Sequence, residues 1–327
     1  MSKQTLPKIV VIGGGTGLPV LLRGLKRFPI DITAIVTVAD DGGSSGRIRE
    51  DLLIPPPGDI RNVIAALSEV EPLIEEMFQH RFHSNGDLSG HSLGNLILAA
   101  MTNITGNFAY AVQELSRVLN VKGKVLPASN QIVVLHAEME DGTIVDGESN
   151  IPNSGKKIKR VFLTPEAIQP LPETIRAIQK ADLIVIGPGS LYTSILPNLL
   201  VPEIGKAVVE AKAKKVYMCN LMTQDGETNH FSASDHLQAI IDHIDEHFID
   251  KIIVNNEPIP EEILQRYEKE KAVPVKIDEE QLKKYSVQII SDKLVSYDDG
   301  IIRHDTKKVS EIIYRLLLTE LVERYQL

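Results

Sequence analysis

The chain has 327 residues, 43% of them hydrophobic, which is enough for a large α/β core. With 44 acidic against 35 basic residues, a net charge of −9, and no basic stripe or aromatic platform, it is a poor candidate for nucleic-acid binding. A single cysteine, Cys219, excludes an intramolecular disulfide and a multi-cysteine zinc site. No run approaches the ~20 apolar residues of a membrane span and no signal-peptide stretch opens the chain, so a cytoplasmic protein is expected.

The first predicted strand, over 8–12, empties into Gly13, Gly14, Gly15, Thr16 and Gly17 before a helical segment over 18–28. Glycines there allow a sharp turn and leave backbone N–H groups uncovered at the positive end of the next helix, an arrangement that suits a phosphate or another anion. The dinucleotide fingerprint wants glycine at the first, third and sixth places of G-x-G-x-x-G. Gly13 and Gly15 fit, but the sixth place is Leu18, which weakens the case for an NAD(P)-dependent oxidoreductase. A turn that only packs strand on helix is the plainer alternative.

A second strand, over 32–38, runs into Ala39-Asp40-Asp41-Gly42-Gly43-Ser44-Ser45-Gly46-Arg47. Asp40 stands where an acid binds ribose hydroxyls; Asp40 and Asp41 together could hold magnesium, with Ser44 and Ser45 beside them. Local Asp and Ser turns would account for the same loop. Next, Pro55-Pro56-Pro57-Gly58-Asp59 feeds a helix over 60–67 with Asp59 at its cap and Arg61 in reach of a phosphate. Gly90-His91-Ser92-Leu93-Gly94-Asn95 leads a helix over 93–101, with Ser92 as cap and Asn95 as ligand contact; another helix covers 108–119. His80 and His83 lack an evident third metal ligand.

The segment 122–161 reads as an antiparallel insertion or sheet edge, with a hairpin turn at Asp141-Gly142, while 132–136 is counted among the apolar strands. After a helix over 173–179, the strand over 183–186 enters Gly187-Pro188-Gly189-Ser190-Leu191-Tyr192-Thr193-Ser194. Backbone N–H groups at Gly189 and Ser190, with the hydroxyls of Ser190, Thr193 and Ser194, would make a second anion cradle. It is not a Walker loop, since no Gly-Lys-Ser/Thr closes it. A helix over 203–213 and a strand over 216–219 come next. Asn220 then opens a segment to Thr228 rich in amides, hydroxyls and carboxylates suited to sugar hydroxyls.

A helix over 235–244 and a strand over 251–254 precede the last helix, about 307–324. That helix aligns Val309, Ile312, Ile313, Leu316, Leu317 and Leu321 on one face, read as core rather than a dimer seam. His243 and His247 lack the glutamate of H-E-x-x-H and read as a solvated face. Thr306, between Asp305 and Lys307, is either a capping threonine or a phosphate acceptor for a regulatory kinase. Apolar strands alternating with helices imply an α/β fold, a Rossmann-like, doubly wound and mostly parallel sheet forming one domain over 1–327.

Taken together, Gly13–Gly17, Asp40–Gly46, Pro56–Asp59, Gly90–Asn95 and Gly187–Ser194, in this order, resemble the YvcK-type gluconeogenesis factors, which share a superfamily with the 2-phospho-L-lactate transferases (CofD). The resemblance implies a bacterial cytoplasmic protein needed for gluconeogenic growth, cell-wall supply and cell shape. It also implies a nucleotide-sugar ligand such as UDP-N-acetylglucosamine, with Gly14, Thr16, Asp40, Asn95 and Gly187–Ser194 lining its site. The transferase branch uses magnesium and a guanosine-linked donor. Its second phosphate loop, Gly-Pro-Ser-Asn-Pro, is replaced here by Gly187-Pro188-Gly189-Ser190-Leu191, which favours binding over transfer of a phosphorus-containing group. A homo-oligomer is expected.

Overall fold

The computed structural model describes residues 6–70, 72–298 and 301–325. The first half runs β1 (Lys8–Gly13), α1 (Gly17–Leu25), β2 (Asp31–Val36), α2 (Gly43–Leu52), α3 (Gly58–Leu67), α4 (Pro72–Gln79), α5 (Leu93–Thr105), α6 (Phe108–Val118) and β3 (Lys124–Pro127). Three strands come after it, β4 (Val134–Met139), β5 (Ile144–Asp146) and β6 (Ile158–Thr164), then α7 (Pro172–Gln179) and β7 (Leu183–Ile186). A π-helical turn (Leu191–Ile195) continues into α8 (Leu196–Leu199), and α9 (Pro202–Glu210), β8 (Lys214–Met218), α10 (Ala233–Ile244) and β9 (Lys251–Asn255) come next. The chain ends with α11 (Glu261–Glu268), α12 (Glu279–Leu282), β10 (Gln288–Asp292), the hairpin β11 (Val295–Asp298) and β12 (Ile301–His304), and α13 (Thr306–Tyr325).

Seven strands form one parallel sheet in the order β10-β9-β8-β7-β1-β2-β3. The chain starts in the middle, at β1, works outward to β3, then returns to β7 and works outward the other way. Ile9 accordingly lies opposite both Ile32 and Leu183. The boundary between β1 and β7 is therefore the topological switch point, where open α/β sheets leave a crevice beyond their strand ends.

Burial on both faces explains the unbroken apolar runs. Ile9, Val11, Leu183 and Val185 pack with α1, α3 and α13 on one side. Val10, Ile12, Ile184 and Ile186 pack on the other with α7, α9, α10 and the antiparallel strands. In α13, Val309, Ile312, Ile313 and Leu317 are buried in the first of these cores, with Leu316 and Leu321 packed against it, so the stripe is core. Among the described residues no helix is long and apolar enough to cross a membrane.

The structure corrects several boundaries. The segment 122–161 supplies both features expected of it: Lys124–Pro127 is the edge strand of the main sheet, and β4, β5 and β6 form the antiparallel insertion. The strand expected over 132–136 lies outside the parallel sheet; it spans Val134–Met139, pairs antiparallel with β5 and β6, and buries alternate residues only. The helix α2 replaces the expected loop after Asp41, so Ser44 and Ser45 lie in a helical first turn. The edge strand β10 escaped notice because its side chains are mostly solvent-facing, leaving no apolar run to read.

Candidate functional site

The two glycine turns meet backbone to backbone at the switch point. A methyl group placed on Gly189 would lie 3.2 Å from Gly14 O and 3.1 Å from Ser194 Cβ. One on Gly13 would lie 3.0 Å from Pro188 O, and one on Gly17 3.2 Å from Pro188 Cβ. Each of these separations is tighter than an ordinary van der Waals contact, so a side chain at any of the three glycines would have to push its neighbour back by a few tenths of an ångström. Asn198 rivets the junction: its buried Nδ2 donates to Gly13 O at 3.1 Å and Ser194 O at 2.8 Å.

Beyond this junction opens a cavity of about 500 Å³. Gly15, Thr16, Gly17, Pro188, Gly189, Ser190 and Asn220 line it, so these expected site residues are brought together. Leu21, Leu221, Met222, Ile301, Ile302 and Val309 are among its apolar lining, and Gln224, Asp225, Tyr267, Glu270, Arg303, His304 and Thr306 among its polar lining. Gln224 Nε2 donates to Ser190 Oγ at 2.8 Å, and His304 Nε2 meets Cys219 O at 3.3 Å. Burial pulls His304 down to about 4, so the ring is neutral at physiological pH. Burial pushes the Cys219 thiol up to about 12, which removes it as a nucleophile.

The turns are already partly filled by the protein's own carboxylates. Asp59 is not the cap of α3, where Pro57 holds the cap position; its Oδ2 instead accepts the Gly15 N–H at 2.7 Å. Burial raises Asp59 to about 6 despite that bond, with the Asp40 charge adding to the effect. Glu227 does the same for the second turn. Its Oε1 accepts from Thr193 Oγ1 at 3.1 Å, and the Tyr192 and Thr193 amides also bond the carboxylate. Burial raises Glu227 to about 7, and its Oε2 has no partner among the described residues. Thr193 and Ser194 are thus buried in the π-helical turn and do not face the cavity. Glu148, delivered by the insertion, is raised to about 8 by burial and then by the charges of Asp40, Glu227, Asp41 and Asp59. From the sequence, Asp59 reads only as a helix cap, Glu227 only as one carboxylate of a segment suited to sugar hydroxyls, and Glu148 is not singled out. Each sits far along the chain from the carboxylates it joins, and no local spacing marks such a partner.

Asp40, Asp41, Ser44, Ser45 and Asn95 lie outside the cavity lining. Asp40 Oδ1 accepts the Gly42 N–H at 2.9 Å, whereas Asp41 Oδ1 accepts the Ser149 N–H at 2.8 Å and so pins the insertion. The two carboxylates bind different backbone segments, and among the described residues no three His, Cys, Asp or Glu side chains form a metal-holding group. Magnesium there would need its remaining oxygens from a phosphate. Asn95 Nδ2 donates to Ser44 Oγ at 3.0 Å, and Ser44 Oγ meets His91 Nδ1 at 3.0 Å, tying α2 to α5. Arg61 donates from its two terminal nitrogens to Gln79 and Asn62, at 2.7 and 2.8 Å, while its buried Nε has no partner among the described residues. His243 departs from a solvated face: it is half-buried, its Nε2 accepts the Val161 N–H at 2.9 Å, and its Nδ1 bonds Ala239 O at 2.6 Å.

Residues 9–295 match the model of the CofD, 2-phospho-L-lactate transferase, family. The gluconeogenesis factor of Bacillus subtilis is 67% identical over 311 residues, covering 95% of this chain and 98% of that protein. The gluconeogenesis factor of Listeria monocytogenes is 49% identical and covers 99% of this chain and all of its own. A crystal structure of a Bacillus halodurans protein superposes with a TM-score of 0.93 at 63% identity, over 95% of this chain and 100% of that one. With its doubly wound sheet, paired glycine turns and end-to-end similarity, the chain belongs to the YvcK-type gluconeogenesis factors of the CofD superfamily.

Proposed function

We propose that the protein is a cytoplasmic regulatory factor for gluconeogenic growth, cell-wall supply and cell shape that acts by binding a UDP-activated sugar. The observation that supports this most is the backbone junction of the Gly13–Gly17 and Gly187–Ser190 turns, opening on a cavity of about 500 Å³ at the switch point. The diphosphate would lie along Gly15–Gly17 and Gly189–Ser190, with the Thr16 and Ser190 hydroxyls as donors. Asp40, Asp41, Ser44, Ser45 and Asn95 stand outside the cavity, where they hold the start of α2, the insertion, Gly58 and α5 together. Asp40 and Asp41 would be the residues to hold magnesium if it accompanies the ligand, and its charge would offset that of a phosphate. Isothermal titration calorimetry with UDP-N-acetylglucosamine tests the idea: saturable binding is expected, and none up to millimolar ligand overturns it.

A second reading, a transferase of phosphorus-containing groups, draws on the CofD family match and on Asp59, Glu148 and Glu227, whose raised affinity for protons suits general acid or base work. Incubation with magnesium and a uridine- or guanosine-linked donor, then chromatography for released nucleotide, separates the two. Binding without release supports the regulatory factor.

A further inference from the structure

The β11–β12 hairpin brings to the cavity one polar side chain with only half of its hydrogen-bonding capacity used. Burial alternates along β12, and Ile302 and His304 share its half-buried face, where Ile302 packs against the core around α1. From that face His304 reaches the residue just past the end of β8, its Nε2 meeting Cys219 O at 3.3 Å. A carbonyl oxygen only accepts, so Nε2 carries the ring proton. Burial keeps the ring neutral, and a neutral imidazole has a single N–H. Nδ1 is therefore a bare acceptor. Among the described residues nothing donates to it, yet it is not one of the polar atoms closed off from solvent. It belongs to a side chain of the cavity lining, within reach of a ligand.

We infer that His304 is a specificity-determining residue of this cavity, its Nδ1 accepting a hydrogen bond from an N–H or O–H of the ligand's uncharged part. The inference rests on the nucleotide-sugar reading and adds which part of such a ligand lies under the hairpin. The diphosphate of a nucleotide sugar has no proton to give, and its oxygens would face the Nδ1 lone pair, so this position rejects it. Phosphates belong at the glycine turns past β1 and β7; His304, over the end of β8, takes a neutral donor. The base imide, the ribose hydroxyls and the hydroxyls or acetamide of the sugar are the donors available.

Nitrogen-15 NMR of the full chain labelled at histidine reads the atom directly, the His304 signals being assigned by their loss in His304→Gln. In the free protein near neutral pH the Nε2–H tautomer is expected, with Nδ1 at the high frequency of an unprotonated ring nitrogen. Saturating UDP-N-acetylglucosamine should move Nδ1 to lower frequency, as accepting a hydrogen bond does, and leave Nε2 in place. Uridine 5′-monophosphate produces the same shift if the donor is base or ribose, and only the full ligand produces it if the donor is the sugar. His304→Gln can still donate to Cys219 O but has no acceptor at the Nδ1 position. It should bind UDP-N-acetylglucosamine roughly fivefold to a hundredfold more weakly, the range for leaving a buried donor unpaired, with thermal melts confirming the fold. An Nδ1–H tautomer in the free protein, or an Nδ1 signal unmoved by the bound ligand, overturns the assignment while the nucleotide-sugar reading stands. So does an equal shift with pyrophosphate alone, or wild-type affinity in His304→Gln. Absence of UDP-N-acetylglucosamine binding in calorimetry overturns that reading itself, and the assignment with it.

Discussion

The Gly15 N–H donates to Asp59 Oδ2 at 2.7 Å, so a backbone amide that sequence logic reserves for a phosphate is bonded to a carboxylate of α3. Glu227 stands in the same relation to the Thr193 turn. Each glycine turn therefore has an inner side held by a protein carboxylate and an outer side lining the cavity. The carboxylates fix the turns, and the ligand meets only the groups left over. The cost is that negative charge sits behind the place where a diphosphate would bind.

That cost gives Asp59 a signature in pH. Burial lifts it from an ordinary 3.8 to about 6, so the folded state holds its proton more tightly than the unfolded chain. Its contribution to stability is greatest below about 4 and is lost as pH rises to about 6. Asp59→Asn keeps an oxygen for Gly15 and removes the charge. Its melting temperature should match wild type near pH 4 and exceed it by a margin that grows to about pH 6 and then levels off. A margin that is flat across this window, or that grows on acidification, would show that Asp59 is not held against its charge.

Gly14 tests the packing of the first turn on its surroundings. A methyl there would lie 2.6 Å from Thr37 Cγ2 and 2.8 Å from Asp59 Oδ2. Gly14→Ala should cost about 1–3 kcal/mol in chemical denaturation, the usual penalty for overpacking, and abolish nucleotide binding. Gly86→Ala, whose methyl meets nothing within 4 Å, should leave both unchanged. Equal denaturation midpoints for the two variants would contradict the close packing of the first turn on Thr37 and Asp59.

How much of this was legible in the sequence depends on whether a residue acts through its neighbours or across the fold. The strand–glycine–helix turns at Gly13–Gly17 and Gly187–Ser190 announce themselves because turn, strand and helix are contiguous. The switch point does not, since alternating strands and helices imply a parallel sheet without fixing the order of its strands. Asp59 was visible but assigned to its own helix, because its true partner is 44 residues away. Ser44 and Asn95 looked like ligand contacts for the same reason; the structure shows them bonded to each other, a pairing across 51 residues that no local pattern encodes. The alternation in β4 was present in the sequence, but a short apolar run reads equally well as a parallel strand.

The division between cavity and support can be measured directly. Thr16 lines the cavity, so Thr16→Ala should weaken UDP-N-acetylglucosamine binding with little change in melting temperature. Asn95→Ala removes the Ser44 bond and should cost about 0.5–1.5 kcal/mol of stability while leaving affinity within about twofold. If Asn95→Ala instead lost binding at constant stability, the ligand would reach behind Gly14 and the cavity would not contain its whole site.

Thr306, the candidate phosphate acceptor, stands at the site itself. It is the first residue of α13 and lines the same cavity as Gly15–Gly17. A negative charge at a helix N-terminus is favourable to the helix, so a phosphate placed by a kinase would not disturb the fold. Inside the cavity the same charge repels a diphosphate, by roughly 1–2 kcal/mol for unit charges about 10 Å apart at an effective dielectric of about 20. Thr306→Glu should therefore keep the wild-type melting temperature and lose about tenfold or more in affinity for UDP-N-acetylglucosamine. Because the effect is electrostatic, the loss should shrink as salt is raised, whereas a steric obstruction would be indifferent to it. Calorimetry of Thr306→Glu and Thr306→Gln at low and high salt separates the two. Wild-type affinity in the glutamate variant would remove Thr306 from any control of the cavity.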